Sequence, residues 1–224
     1  MSLTPPLIDH PVAFFDLDLT ILKINSATLW VKSEYREGMI STAQLIRAFW
    51  LLARYRLGST SLDAALEVAI MTLRGQRELD LKERIHRFYT EKISDQVRHG
   101  AHDVLRQHRD QGHLCYLMTS ASSYLSELIV RDLKLDGMLA QRFEVAEGIF
   151  TGHPRGGLCF GSGKLDQAQR LLQDHPVNLS DCFFYTDSFT DLPLLEAVGH
   201  PRVIHPDRKL LHHAIQNAWQ IHEW

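Results

Sequence analysis

The stretch Val12-Ala13-Phe14-Phe15-Asp16-Leu17-Asp18-Leu19-Thr20 constrains this chain more than any other. Four apolar residues, bounded by Pro11 on one side and by acids on the other, predict a short buried strand. A buried strand ending in Asp-x-Asp brings two carboxylates to the rim of a sheet, where open α/β folds keep their binding sites. Two acids alone are equally a solvated strand-end turn, so the partners downstream decide.

After this strand the pattern turns helical from about residue 23 to residue 98. Leu45, Ile46, Phe49, Trp50, Leu52 and Ala53 mark one helix. Leu62, Ala65, Leu66, Ala69, Ile70 and Leu73 mark a second, with Thr60 and Asp63 as a capping box. Leu81, Ile85, Phe88, Tyr89 and Ile93 mark a third. From Ala101 onward, helices alternate with apolar runs at Leu114–Met118, Cys182–Tyr185 and Arg202–Ile204, and Glu147-Gly148 centres a small hairpin. The expected fold is α/β: a doubly wound, mostly parallel sheet of Rossmann-like kind, carrying an inserted helical subdomain. Residues 1–22 and 99–224 would form the core, and 23–98 the insertion.

With 224 residues the chain is long enough for one large domain, or for a core and a smaller one. Its 24 basic against 27 acidic residues argue against a dedicated nucleic-acid binder. Cys115, Cys159 and Cys182 show no paired spacing and are expected as reduced thiols. There is no targeting segment and no apolar run long enough for a bilayer, so a soluble cytoplasmic protein without membrane contact is the expectation. Gly161-Ser162-Gly163-Lys164 is not a P-loop, because Leu158 and Leu165 stand where that motif needs Gly and Ser/Thr.

In a parallel sheet the strand ends share one edge, so Asp16, Asp18, Ser120, Lys164, Asp187 and Asp191 would converge there. Such a set suits phosphoryl chemistry. Asp16 and Asp187 would hold a hard cation such as Mg²⁺. Lys164 adds positive charge, and the Ser120 hydroxyl with nearby backbone N–H groups adds donors. One Asp would attack phosphorus to give an acyl-phosphate, and the other would shuttle the proton.

Asp16-Leu17-Asp18-Leu19-Thr20, Ser120-Ala121-Ser122, Lys164 and Asp187-Ser188-Phe189-Thr190-Asp191 resemble, in order, the four motifs of the haloacid dehalogenase-like hydrolase superfamily. The helical insertion between the first two resembles the cap of its phosphoserine-phosphatase-like branch, subfamily IB. The resemblance implies Asp16 as nucleophile and metal ligand. It implies Asp18 as general acid/base, with its backbone carbonyl on the metal, and Asp187 as the remaining protein ligand of Mg²⁺. Ser120, Ala121 and Lys164 would bind phosphate, Asp191 would orient Lys164 or a metal-bound water, and Thr20 would support the turn that presents Asp16. An acid at position 18 places the chain with phosphatases or phosphotransferases rather than dehalogenases.

Phosphoserine phosphatases carry a glutamate shortly after the first motif, where this chain has Lys23-Ile24-Asn25-Ser26. They also usually show Ser-Gly-Gly and Asp-Gly where this chain has Ser120-Ala121-Ser122 and Asp187-Ser188. The chain is more similar to neighbouring capped hydrolases, histidinol-phosphatase-like enzymes among them. The expected function is Mg²⁺-dependent hydrolysis of a small phosphorylated metabolite. Phosphotransfer to an acceptor alcohol is the alternative, and a non-catalytic binding module of the same fold a remote one. The motifs carry no information on oligomeric state.

Overall fold

The computed structural model describes residues 9–46, 50 and 70–224. β1 (Val12–Phe15) is followed by α1 (Ser26–Arg36), α2 (Glu78–Phe88) and α3 (His99–Asp110). Then come β2 (Leu114–Ser122), α4 (Ser123–Leu133) and β3 (Gly137–Gln141). β4 (Phe143–Ala146) and β5 (Ile149–Pro154) form a separate hairpin. α5 (Ser162–Leu172), β6 (Phe183–Thr186), α6 (Leu192–Ala197), β7 (His200–Ile204), α7 (Arg208–Gln216) and β8 (Gln220–His222) complete the chain.

The main sheet has the order β3-β2-β1-β6-β7-β8, and every pairing in it is parallel. Strand β1 is central. The chain winds outward from it through β2 and β3, then returns to its other side through β6, β7 and β8. The crevice at the carboxyl ends of β1, β2 and β6 is therefore a topological switch point. Alternation along β1 explains the two layers. Ala13 and Phe15 join the buried cluster that includes Leu105 of α3 and Ile129 of α4. Val12 and Phe14 join the one that includes Ala168 of α5, Leu194 of α6 and Leu210 of α7. The doubly wound fold expected from the alternation of strands and helices is the one observed. β3 and β8 were not expected. β3 is Gly-Met-Leu-Ala-Gln, poor in β-branched residues, and β8 is a three-residue edge strand with an exposed face.

The insertion leaves and rejoins the core at adjacent points. Leu22 pairs antiparallel with Val97, Lys23 N donates to the Gln96 carbonyl (2.9 Å) and Arg98 N to the Ile21 carbonyl (2.8 Å). Its returning arm also pairs with the hairpin. Glu78 N donates to the Gly148 carbonyl (2.8 Å), and Gly75 N to the Phe150 carbonyl (2.9 Å). Within the insertion, Trp30 packs edge-on against Phe88 with ring centres 5.1 Å apart. Residues 42–46 are helical. The remainder of that expected helix up to Ala53 (Trp50 apart), the Thr60–Asp63 capping box and the helical run from Leu62 to Ala69 lie outside the described residues.

All three cysteines are free and buried. Among the described residues no helix is long and apolar enough to cross a membrane. Phe14 is fully buried at the centre of the sheet, so Phe14→Ala should cost about 3–5 kcal/mol. Denaturant unfolding checks this as a lower midpoint at an unchanged slope.

Candidate active site

Asp16 is the first residue past β1, and its N–H donates to the Tyr185 carbonyl of β6 (2.9 Å). The chain then turns sharply. Asp18 is extended, Leu19 sits at φ +60, Ile21 N reaches back to the Asp16 carbonyl (3.4 Å) and Leu22 N to the Leu17 carbonyl (2.8 Å). A left-handed leucine is a costly conformation, held here by the surrounding contacts. The turn gives the two carboxylates different partners. Asp16 is buried against Lys164, whereas the Asp18 Oδ1 accepts the N–H of Ser26, the first residue of α1 (2.8 Å).

Lys164 lies in the first turn of α5, where the helix dipole disfavours a cation. Its surroundings resolve the conflict. Nζ donates to Asp16 Oδ1 at 2.6 Å and to Asp191 Oδ2 at 2.7 Å, with the ammonium and both carboxylates buried. Gly163 makes the approach feasible, since a Cβ there would stand 2.0 Å from the Leu158 carbonyl oxygen. Gly161 precedes it at φ +52, a conformation suited to glycine.

Asp191 is fixed a second time by the Thr186 hydroxyl, which donates to the same Oδ2 at 2.7 Å. Asp187 follows β6 directly, and the Thr20 hydroxyl donates to its Oδ1 over 3.5 Å. Ser120 and Ala121 sit at a register irregularity between β2 and β3, the kind of bulge that re-aims side chains. Of the three neighbouring hydroxyls, Thr119 accepts from Ala121 N (3.0 Å) and Ser122 caps α4 by accepting from Leu125 N (3.4 Å). Ser120 is the one without an internal side-chain bond among the described residues, which favours it as a ligand donor. The Ala121 N–H, expected at a phosphate, is engaged with Thr119.

Burial drives the electrostatics. Desolvation raises Asp16 to about 7, with Lys164 opposing and Asp191 adding to the rise. Asp187 is pushed up to about 8 by burial first, then by Asp16 and Asp191. Burial also raises Asp18, against the stabilising hydrogen bond from Ser26. Burial pulls the Lys164 ammonium down, but Asp16 and Asp191 together outweigh it and hold the proton firmly. The centre thus has more carboxylate than one lysine neutralises. That excess fits a hard divalent cation on Asp16 and Asp187. Among the described residues no three His, Cys, Asp or Glu side chains form a metal cage.

Three supporting residues were not singled out in the sequence. Thr186 directly precedes Asp187. Ser26 holds Asp18 through its main-chain N–H and its side chain, a contact across eight residues that residue type alone does not advertise. Asp207 is visible as the cap of α7, but its second oxygen also accepts from Phe189 N (2.8 Å) and steadies the 187–191 loop.

The chain matches the haloacid dehalogenase-like hydrolase family over residues 13–196 and belongs to it. It is 28% identical to a Mycobacterium tuberculosis protein named phosphoserine phosphatase SerB1, over 98% of this chain and 73% of that one. It is 23% identical to a histidinol-phosphatase of Neisseria meningitidis, over 94% and 97%. A solved structure from Bordetella pertussis, titled as a protein with unknown function, superposes with a TM-score of 0.87 at 30% identity, covering 96% and 98% of the two chains.

Asp16 and Asp187 both titrate higher in the folded chain than their ordinary 3.8. Through these two groups the folded chain holds more protons than the unfolded one, so their contribution to stability falls as pH rises towards 8, while below about pH 6.5 the depressed His108 acts in the opposite direction. In metal-free protein the melting temperature should decline from about pH 6.5 to pH 8. Lys164→Met should steepen the decline and cost about 3–5 kcal/mol at pH 8, because it strands two buried carboxylates.

Proposed function

We propose that this protein is a Mg²⁺-dependent phosphatase that hydrolyses a small phosphorylated metabolite through an aspartyl-phosphate on Asp16. The observation that carries the reading is the division of labour within Asp-x-Asp. Asp16 is buried on Lys164 at the switch point, while Asp18, two residues on, is held apart by the N–H of Ser26. One carboxylate is placed to attack and the other to exchange a proton.

In this reading the Asp16 carboxylate attacks phosphorus and the ester P–O bond breaks. Asp18, whose raised pKa favours the acid form, gives its proton to the leaving alkoxide. Water then attacks the aspartyl-phosphate, Asp18 recovers the proton, and phosphate leaves with Asp16 restored. Lys164 orients Asp16 and supplies positive charge to the transferring group, Asp191 and Thr186 hold Lys164 in place, and Ser120 would line the phosphoryl position, joined by the Ala121 N–H once it leaves the Thr119 hydroxyl. Asp16, Asp187 and the Asp18 carbonyl would hold Mg²⁺, which neutralises phosphate charge for an anionic nucleophile.

Residues 23–98 would form a cap on a core of 1–22 and 99–224, hinged where Leu22 pairs with Val97. Because Ser26 begins α1 and holds Asp18, movement of that helix would reach the general acid directly. The segment Lys23–Ser26 offers no carboxylate for a substrate amine. The acid further along, Glu34, is paired with Arg84 at 3.2 Å. This weighs against phosphoserine, although a relative bears that name, and leaves histidinol phosphate in the foremost group of candidates.

Phosphate release from a generic aryl phosphate should require Mg²⁺ and vanish in Asp16→Asn. Asp18→Asn should lower kcat by about 10²–10⁴ with little change in substrate binding. Metal-independent turnover surviving in Asp16→Asn would contradict the mechanism. A panel containing histidinol phosphate, phosphoserine and glycerol phosphates, with free phosphate measured directly, identifies the substrate and separates hydrolysis from transfer.

A further inference from the structure

Away from the catalytic centre, a cavity of about 400 Å³ opens between α3 and the β6-β7-β8 side of the sheet. Register explains its floor. Tyr185 pairs with Arg202 and Arg202 with Gln220, so the three side chains stand in one row on one face. Helix α3 faces them with Gln107 and His108, Gln111 follows at the helix end, and His222 and Trp224 complete the wall.

Among the described residues the lining contains no Asp or Glu, and no carboxylate pairs with Arg202. Its guanidinium lies over the Phe183 ring at 5.5 Å, Nη1 donates to the Pro201 carbonyl (3.0 Å), and the side chain also hydrogen-bonds the neutral Tyr185 hydroxyl. The neighbouring imidazoles do not add charge. Burial, with Arg202 contributing, depresses His108 to about 4 and lowers His222. The His222 Nε2 is shut off from solvent and has no hydrogen-bond partner among the described residues. The Tyr185 hydroxyl and His108 Nε2 are 2.8 Å apart, and His108 Nδ1 is 2.9 Å from His113 Nδ1. The cavity therefore presents one unneutralised cation, neutral hydrogen-bonding rings and three glutamine amides.

We propose that this cavity is a second ligand site, for a small polar monocarboxylate whose carboxylate lies on Arg202 and whose hydroxyl or amide groups meet Gln107, Gln111 and Gln220. A single positive charge among neutral neighbours matches a monoanion better than a doubly charged phosphate. The planar fork of arginine suits a carboxylate. Amides, which both donate and accept, suit a ligand rich in hydroxyls. Tyr185 joins the site to the nucleophile. Its carbonyl accepts the Asp16 N–H, and its ring stacks on Phe15 with centres 4.6 Å apart.

Calorimetry with gluconate as the probe tests this, and sorbitol serves as its uncharged counterpart. Inorganic phosphate is kept present to fill the catalytic centre. Gluconate should bind saturably and sorbitol should not. Arg202→Gln should weaken gluconate by about tenfold or more. Gln111→Glu, at an exposed position just past the end of α3 where folding is not at stake, should weaken it in the same direction. Absence of saturable binding, equal binding of sorbitol, displacement of gluconate by phosphate, or unchanged affinity in both variants would overturn the proposal. The readout needs no turnover, so it stands or falls separately from the phosphatase reading.

Discussion

A buried ammonium between two carboxylates is unfavourable unless every hydrogen-bonding atom is placed, since each ion gives up its hydration. Lys164 meets that condition at 2.6 Å from Asp16 and 2.7 Å from Asp191. Much of the surrounding structure serves this contact. β1 ends where Asp16 must stand, and β6 delivers both Thr186 and the loop that carries Asp191. The first turn of α5 needs glycine at 161 for its backbone and at 163 for its closeness to Leu158. The parallel sheet is what lets segments nearly 150 residues apart in sequence share one crevice, 148 separating Asp16 from Lys164.

The same contact explains why the centre suits a divalent cation. One lysine satisfies Asp16 and Asp191 but leaves the half-buried Asp187 and Asp18 without a cationic partner at bonding distance among the described residues, and desolvation raises both. Asp18 is steadied by a peptide N–H instead, at the very start of the insertion. The proposed cap and the proposed proton shuttle are therefore joined by one hydrogen bond.

The sequence was legible where chemistry is carried by side chains at strand ends. Asp16, Lys164 and Asp191 were expected together and do meet. Asp18 and Asp187 flank them as the parallel topology required. Ser120 could not be separated from Thr119 and Ser122 by residue type. Only the structure shows that its two neighbours are occupied, one by Ala121 N and one as a helix cap. The Ser26 contact was invisible because its main-chain donor carries no residue signature and a serine at a helix start reads first as part of the cap. β3 and β8 escaped because edge strands need no apolar alternation when only one neighbour and one face constrain them. The row Tyr185–Arg202–Gln220 was hidden for another reason: it exists only in the pairing register of three strands.

The central claim is that Asp16 becomes covalently phosphorylated during turnover. Acid-quenching the enzyme in mid-reaction with phosphorus-labelled substrate, then mapping the label by peptide mass spectrometry, tests it directly. The account predicts label on the peptide containing Asp16, accumulating within one turnover and discharged by water. Steady phosphate release with no labelled protein, or with the label on another residue, would contradict it.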